Sequence, residues 1–108
     1  MLESSKTSAA RTARIVLAVG HKAANGHFPG NPIIPGAVLL REVIAAVIGD
    51  AAQTCRELRS AKFHHPVRPG DTLVLSWTVS AHDDIRFSCS LAGSGHLAVS
   101  GAFRLAPL

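Results

Sequence analysis

The chain has no tyrosine, one tryptophan and four phenylalanines among its 108 residues. A core so poor in aromatics has to be built from Val, Ile, Leu and Ala, and few rings are left for stacking nucleobases. Acidic residues are also in the minority: 11 Lys and Arg stand against 7 Asp and Glu, a formal net charge of +4. The cations are scattered from Lys6 to Arg104 rather than gathered in a patch. Nucleic-acid binding is therefore not expected, whereas an acidic protein partner suits the balance, because complementary fields speed encounter. Cysteine is scarce: Cys55 and Cys89 stand far apart, with no CxxC pair and no Cys/His spacing of a zinc site. Neither a metal nor a cofactor is expected, and two reduced thiols in a cytoplasmic protein are the expected state. Long hydrophobic runs are missing too. Nothing approaches the roughly 20 apolar residues that span a bilayer, and the first ten residues carry no stretch of the signal-peptide kind. No membrane role follows.

What is present is 47% hydrophobic residues, 17% charged residues, 9 Gly and 6 Pro, an ordinary balance for a globular domain. The length predicts one domain with a modest core, for which a homodimer interface is a natural supplement. Residues 1–11 are small and polar and are expected to form a disordered tail, leaving 12–108 as the domain. A short β-rich segment, Thr12 to Val19, comes first. Gly20 to Gly36 then packs four Gly, three Pro and two Asn into one loop, which excludes helix or strand. Ala37 to Ile48 predicts a helix, with Pro35 and Gly36 at its start and Gly49 as its stop. Apolar residues cover nearly its whole circumference, broken only by Arg41 and Glu42, so burial on all sides is expected. Strands are predicted at Thr54 to His65, Thr72 to Ser80, Ile85 to Leu91 and His96 to Leu105, with turns at Pro66 to Asp71, Asp83–Asp84 and Gly93 to Gly95. The fold class is α+β: an antiparallel sheet wrapped around one long central helix.

The stretch His27-Phe28-Pro29-Gly30-Asn31-Pro32-Ile33-Ile34-Pro35-Gly36 carries the chemistry. It places an imidazole in a stiff loop that leads into a helix N-terminus, where free amides and a partial positive charge suit a developing oxyanion. A thioester carbonyl held there would have an acidified α-carbon, from which an imidazole can take the proton. On the residues alone, the alternative is that His27 only ties its loop together.

This stretch resembles the signature of the FabA/FabZ-type 3-hydroxyacyl-carrier-protein dehydratases. Lys62-Phe63-x-x-Pro66-Val67-x-Pro69-Gly70-Asp71 resembles the same family's second segment. The resemblance implies a hot-dog fold and a hydro-lyase that converts 3-hydroxyacyl thioesters to trans-2-enoyl thioesters. It implies His27 as the base and the Gly36 amide as the donor to the thioester carbonyl, with Phe28 and Pro35 beside the substrate. It also implies an acyl carrier protein as partner and a homodimer, in which the histidine of one subunit meets a helix acid of the other. The family's helix acid lies fourteen residues beyond the histidine, and this chain has Arg41 there, with Glu42 one residue on and about 100° around the helix. Three readings follow. Glu42 enters the site as the acid; Arg41 enters it and organises substrate or water; or dehydration is lost. Arginine does not release its proton near neutrality and is a poor general acid. The rival functions are a hot-dog acyl thioesterase and a non-catalytic acyl-binding hot-dog subunit. Strand alternation lets at most one of His64 and His65 face the site; both are expected to be solvent or interface residues. His21, His82 and His96 read as surface, and Asp71 as a turn former.

Overall fold

A computed structural model describes residues 10–18 and 32–108. Five strands and one helix follow in the order β1 (Arg11–Val16), α1 (Gly36–Ile48), β2 (Gln53–Phe63), β3 (Thr72–Val79), β4 (Asp84–Leu91) and β5 (Leu97–Pro107). The strands form one antiparallel sheet in the order β1-β3-β4-β5-β2. The meander β3-β4-β5 is the expected one, and β1 and β2 close its two edges. The expected tail, 1–11, lies almost wholly outside the described residues; Arg11, its last member, opens β1.

Strict alternation decides the two faces of the sheet. In β3, Leu73, Leu75 and Trp77 are buried, and so are Ile85, Phe87 and Cys89 in β4. The register aligns these positions across all five strands: Ala13, Leu75, Cys89, Val99 and Phe63 form one inward row. One residue along, Thr12, Ser76, Ser88, Ser100 and Lys62 form the matching outward row. Each large aliphatic side chain buried on the inner face contributes about 1.5–3 kcal/mol. Cys89 is buried on the same face, and burial pushes its thiol up to about 11. Both cysteines are free.

The turns are built from the expected residues. Asp83 takes a positive φ of 60°, which Asp tolerates because its short polar side chain bonds locally. Asp71 Oδ2 accepts a hydrogen bond from the Arg68 amide at 2.8 Å, so this carboxylate is a turn former. Strand β2 ends at Phe63 rather than His65. His64 still donates its amide to the Ala98 carbonyl at 2.7 Å, but Pro66 has no N–H with which to continue the ladder.

The helix begins at Gly36 behind Pro35, whose extended backbone (φ −60°, ψ 147°) serves as the N-cap. The Pro35 carbonyl accepts from Val38 at 3.0 Å and Leu39 at 3.1 Å. Gly49 ends the helix at φ 56° and returns its amide to Ala45, a left-handed region that favours glycine. Burial of α1 departs from expectation. Leu39 and Val43, four residues apart, are buried against the sheet, while Ala37, Arg41 and Ala45 form an exposed stripe. The five strands lie on one side of the helix, so one chain covers only part of its circumference.

Two features carry testable weight. A Cβ on Gly101 would collide with the backbone carbonyl of Ser60 and lie 3.1 Å from the Phe87 ring, beside the register shift between Leu58 and Ser60. A backbone oxygen cannot swing away as a side chain does. Gly101→Ala is expected to cost about 2 kcal/mol or more, in the overpacking range, and thermal unfolding should show a fall of several degrees; an unchanged melting temperature would contradict this packing.

On the outer face, Arg104 grips Asp84 through Nε at 3.0 Å and Nη2 at 3.4 Å, and Arg59 approaches the same carboxylate at 3.6 Å. The hydrogen bonds from Arg104 hold the Asp84 carboxyl below its ordinary value, helped by the charges of Arg104 and Arg59 and opposed by desolvation. A lowered folded value means that the contribution is complete above the unfolded carboxyl value and is lost as pH falls through the folded one. The gap in melting temperature between wild type and Asp84→Asn should therefore be widest near neutrality and close in acid. A gap independent of pH would exclude the ionised pair as its source.

Candidate functional site

The two sequence motifs meet at the start of α1. The Ile34 amide donates to the Val67 carbonyl at 2.8 Å, stitching the segment before the helix to the segment after β2. A second tie holds the far end of that segment: Gly70 donates to the Leu17 carbonyl at 2.8 Å and Leu17 to the Asp71 carbonyl at 3.0 Å. Beside the Ile34–Val67 tie opens a cavity of about 480 Å³. Ile34, Leu39 and Val67 give it an apolar wall, Gly36 brings the helix start to it, and Phe63, His64, His65 and Pro66 complete the described lining.

Gly36 is required by this arrangement. A Cβ there would stand 2.7 Å from Cζ and 2.8 Å from Cε1 of Phe63. Glycine lets the first turn of the helix rest on the Phe63 ring, and the ring stays half exposed at the mouth of the cavity. Among the described residues no side chain caps the helix start, and its first turn holds no acidic residue. The first amides of a helix have no intrahelical acceptor, so this end offers donors and a partial positive charge to an anionic oxygen.

Of the predicted site residues, His27 and Phe28 lie outside the described residues. Pro35 and Gly36 stand at the helix start, and Gly36 lines the cavity. Neither Arg41 nor Glu42 is among its lining residues. Arg41 points away on the exposed stripe, and Glu42 is half-buried on the flank of the helix. The structure thus joins the helix start to the second motif and leaves both helix charges apart from that junction within one chain.

The two adjacent histidines divide as alternation requires. His64 Nε2 is 3.0 Å from Ser100 Oγ, a residue of the outward row. His65 shares the inward side with Phe63, lines the cavity and is partly buried. Its Nδ1 lies 2.9 Å from the Pro66 carbonyl, and its ring stacks on His96 with centroids 4.8 Å apart and planes 30° apart. Sequence reasoning assigned both histidines to solvent or an interface. The missed signal is the phase of β2: Phe63 pairs with buried Val99, so residue 65 falls on the cavity side. Among the described residues no group of three or more His, Cys, Asp or Glu is placed to hold a metal ion, and no helix is long and apolar enough to cross a membrane.

Comparison with known proteins agrees with this architecture. The 3-hydroxyacyl-[acyl-carrier-protein] dehydratase FabZ of Wolbachia pipientis subsp. Culex pipiens (strain wPip) is 36% identical over 97 residues, covering 77% of this chain and 65% of that protein. The chain spans 46% to 65% of the length of such curated relatives. A solved, uncharacterized protein from Erwinia carotovora subsp. atroseptica superposes with a TM-score of 0.77 at 29% identity, covering 95% of this chain and 86% of that one. The dehydratase heterocomplex ApeI:P from Xenorhabdus doucetiae shares the fold, with a TM-score of 0.76 at 20% identity over 97% of this chain and 92% of that one. The helix laid on a curled antiparallel sheet is the hot-dog fold, and the family model for the ApeI dehydratase matches residues 3–102. With a match over nearly its whole length, the chain belongs to the ApeI-like dehydratase family.

Proposed function

We propose that the protein is a cytoplasmic hydro-lyase that removes water from 3-hydroxyacyl thioesters borne on an acyl carrier protein and releases the trans-2-enoyl thioester. The observation that carries this reading is the apolar cavity at an uncapped helix start, with Gly36 and the second motif on its walls. An acyl chain suits the apolar lining, and a thioester carbonyl suits the amide end of α1. Once the carbonyl oxygen is held there, charge that develops on it during removal of the α-proton meets fixed donors. His27 is the base in this scheme. It is nine residues before Gly36 in a loop of Pro and Gly. The net charge of +4 favours approach by an acidic carrier.

The direct test presents 3-hydroxyacyl and enoyl thioesters on carrier protein and follows enoyl absorbance beside free thiol. Reversible hydration without thiol release is expected; thiol release instead would make the protein a thioesterase, and neither would leave a binding subunit. His27→Ala should lower the hydration rate at least about 100-fold, the low end for removing a general base. Unchanged rates in the folded variant would remove His27 from the mechanism.

The working assembly in this reading is a homodimer formed along β2. That strand is an edge of eleven residues, with Leu58 47% and Phe63 53% exposed. An exposed edge of this length invites pairing. Light scattering on the purified chain should give twice its mass, and Leu58→Asp should shift the population toward monomer. A wild-type monomer would overturn the assembly, and dimerisation only with a second, different chain would assign the edge to a heterologous partner.

A further inference from the structure

Among the described residues, two titratable residues line the cavity, His64 and His65. They are not equivalent. His64 is turned to the outer face, with Nε2 at hydrogen-bond distance from Ser100 Oγ. His65 precedes Pro66, and a residue before proline is confined to extended backbone; its ring is placed by Nδ1, 2.9 Å from the Pro66 carbonyl. The Pro66 carbonyl only accepts, so Nδ1 of His65 carries a proton. The exchangeable nitrogen left on that ring is Nε2. His96, from the turn between β4 and β5, covers one face of the ring and restrains its plane. Among the described residues, the titratable neighbours of His65 are His96 across the stack and His64 before it, and no carboxylate lines this cavity.

We propose that His65 is the acid of the elimination, protonating the departing 3-hydroxyl through Nε2. The inference rests on the dehydratase reading above and supplies the group that reading lacks, since the family's acid position is occupied by Arg41, which cannot release a proton near neutrality. In the step, the base takes the α-proton and the C–H electron pair becomes the C2=C3 double bond. The C3–O bond breaks, and the oxygen leaves as water with the Nε2 proton. His65 ends neutral, its Nδ1–H still on the Pro66 carbonyl, and regains a proton from solvent as the base returns one. The products are the enoyl thioester and water, with no net change in protons.

The experiment compares wild type and His65→Gln, which keeps a polar side chain but has no proton to give. Two substrates are used: a 3-hydroxyacyl thioester, and its 3-acetoxy counterpart, whose acetate leaves without protonation. His65→Gln should lower kcat on the hydroxy substrate by about 100-fold, leave KM within about threefold, and remove the alkaline limb of the pH profile. On the acetoxy substrate the same variant should run within about threefold of wild type, because acid assistance is no longer needed. Equal losses on both substrates, or an unchanged kcat and pH profile on the hydroxy substrate, would overturn the assignment while leaving the dehydratase reading intact. A wild type inactive on both thioesters would instead sink that reading. Should His65→Gln fail to fold, the wild type still decides: an alkaline limb on the hydroxy substrate but not on the acetoxy one is required, and identical profiles exclude an acid of this kind.

Discussion

The missing side chain at residue 36 is the constraint on which the site depends. Because nothing projects from Gly36, the first turn of α1 lies against the ring of Phe63, closer than any Cβ would allow. Phe63 in turn is the last member of an inward row that runs through Val99, Cys89 and Leu75 to Ala13. The position of the helix start is therefore referred to the whole width of the sheet through one ring. The hydrogen bond from Ile34 to Val67 adds a second tie at the same corner. A helix end fixed at two points keeps its amides aimed without paying reorganisation during a reaction, which is the condition under which fixed dipoles are most effective.

The two faces of the sheet are specialised by the same alternation. Among the described residues, no polar or charged residue is buried in the core that the inner face builds. The outer face carries hydroxyls in its central strands and, beside them, the charges of Asp84, Arg104 and Arg59. Those charges remain partly in water, where ion pairs contribute modestly. Register is secured instead by the buried rows, since a one-residue slip of any strand would turn its aliphatic residues outward.

Much of this was legible in the sequence, and the reasons are specific. Pro35, Gly36 and Gly49 bracket the helix because each suits a backbone geometry that other residues resist. Leu73, Leu75 and Trp77 show their face through a period of two. Asp83 and Gly95 mark turns by tolerating positive φ. The failures have physical causes as well. A helix apolar all round was expected to be buried all round, but periodicity cannot say how much of that surface the chain's own strands reach. The exposed stripe Ala37, Arg41 and Ala45 is the remainder. The register shifts in β2 between Cys55 and Glu57 and between Leu58 and Ser60 leave no composition signal, because they belong to the pairing with β5, a strand far away in sequence. His64 and His65 could be separated only once the phase of Phe63 was fixed.

In the proposed mechanism, Arg41 at the position where the resemblance implies a carboxylate bears on more than the supply of a proton. A carboxylate near the helix start would compete with an enolate-like oxygen for the same amides and would repel the negative charge as it grows. The first turn of α1 holds no acidic residue, so in the proposed reaction a charge developing at the helix start would face donors rather than a carboxylate. An imidazole suits such a site as an acid because it is neutral once its proton is given, and so leaves no new anion beside the oxygen that the amides have just stabilised. It also keeps one nitrogen on a backbone carbonyl throughout, so the ring holds its orientation in both protonation states. A carboxylic acid would run the same step from neutral to anion, whereas an imidazole runs it from cation to neutral. In the proposed mechanism the apolar lining and an acid drawn from β2's end rather than from the helix thus belong to one arrangement, with the helix amides as its anion acceptor.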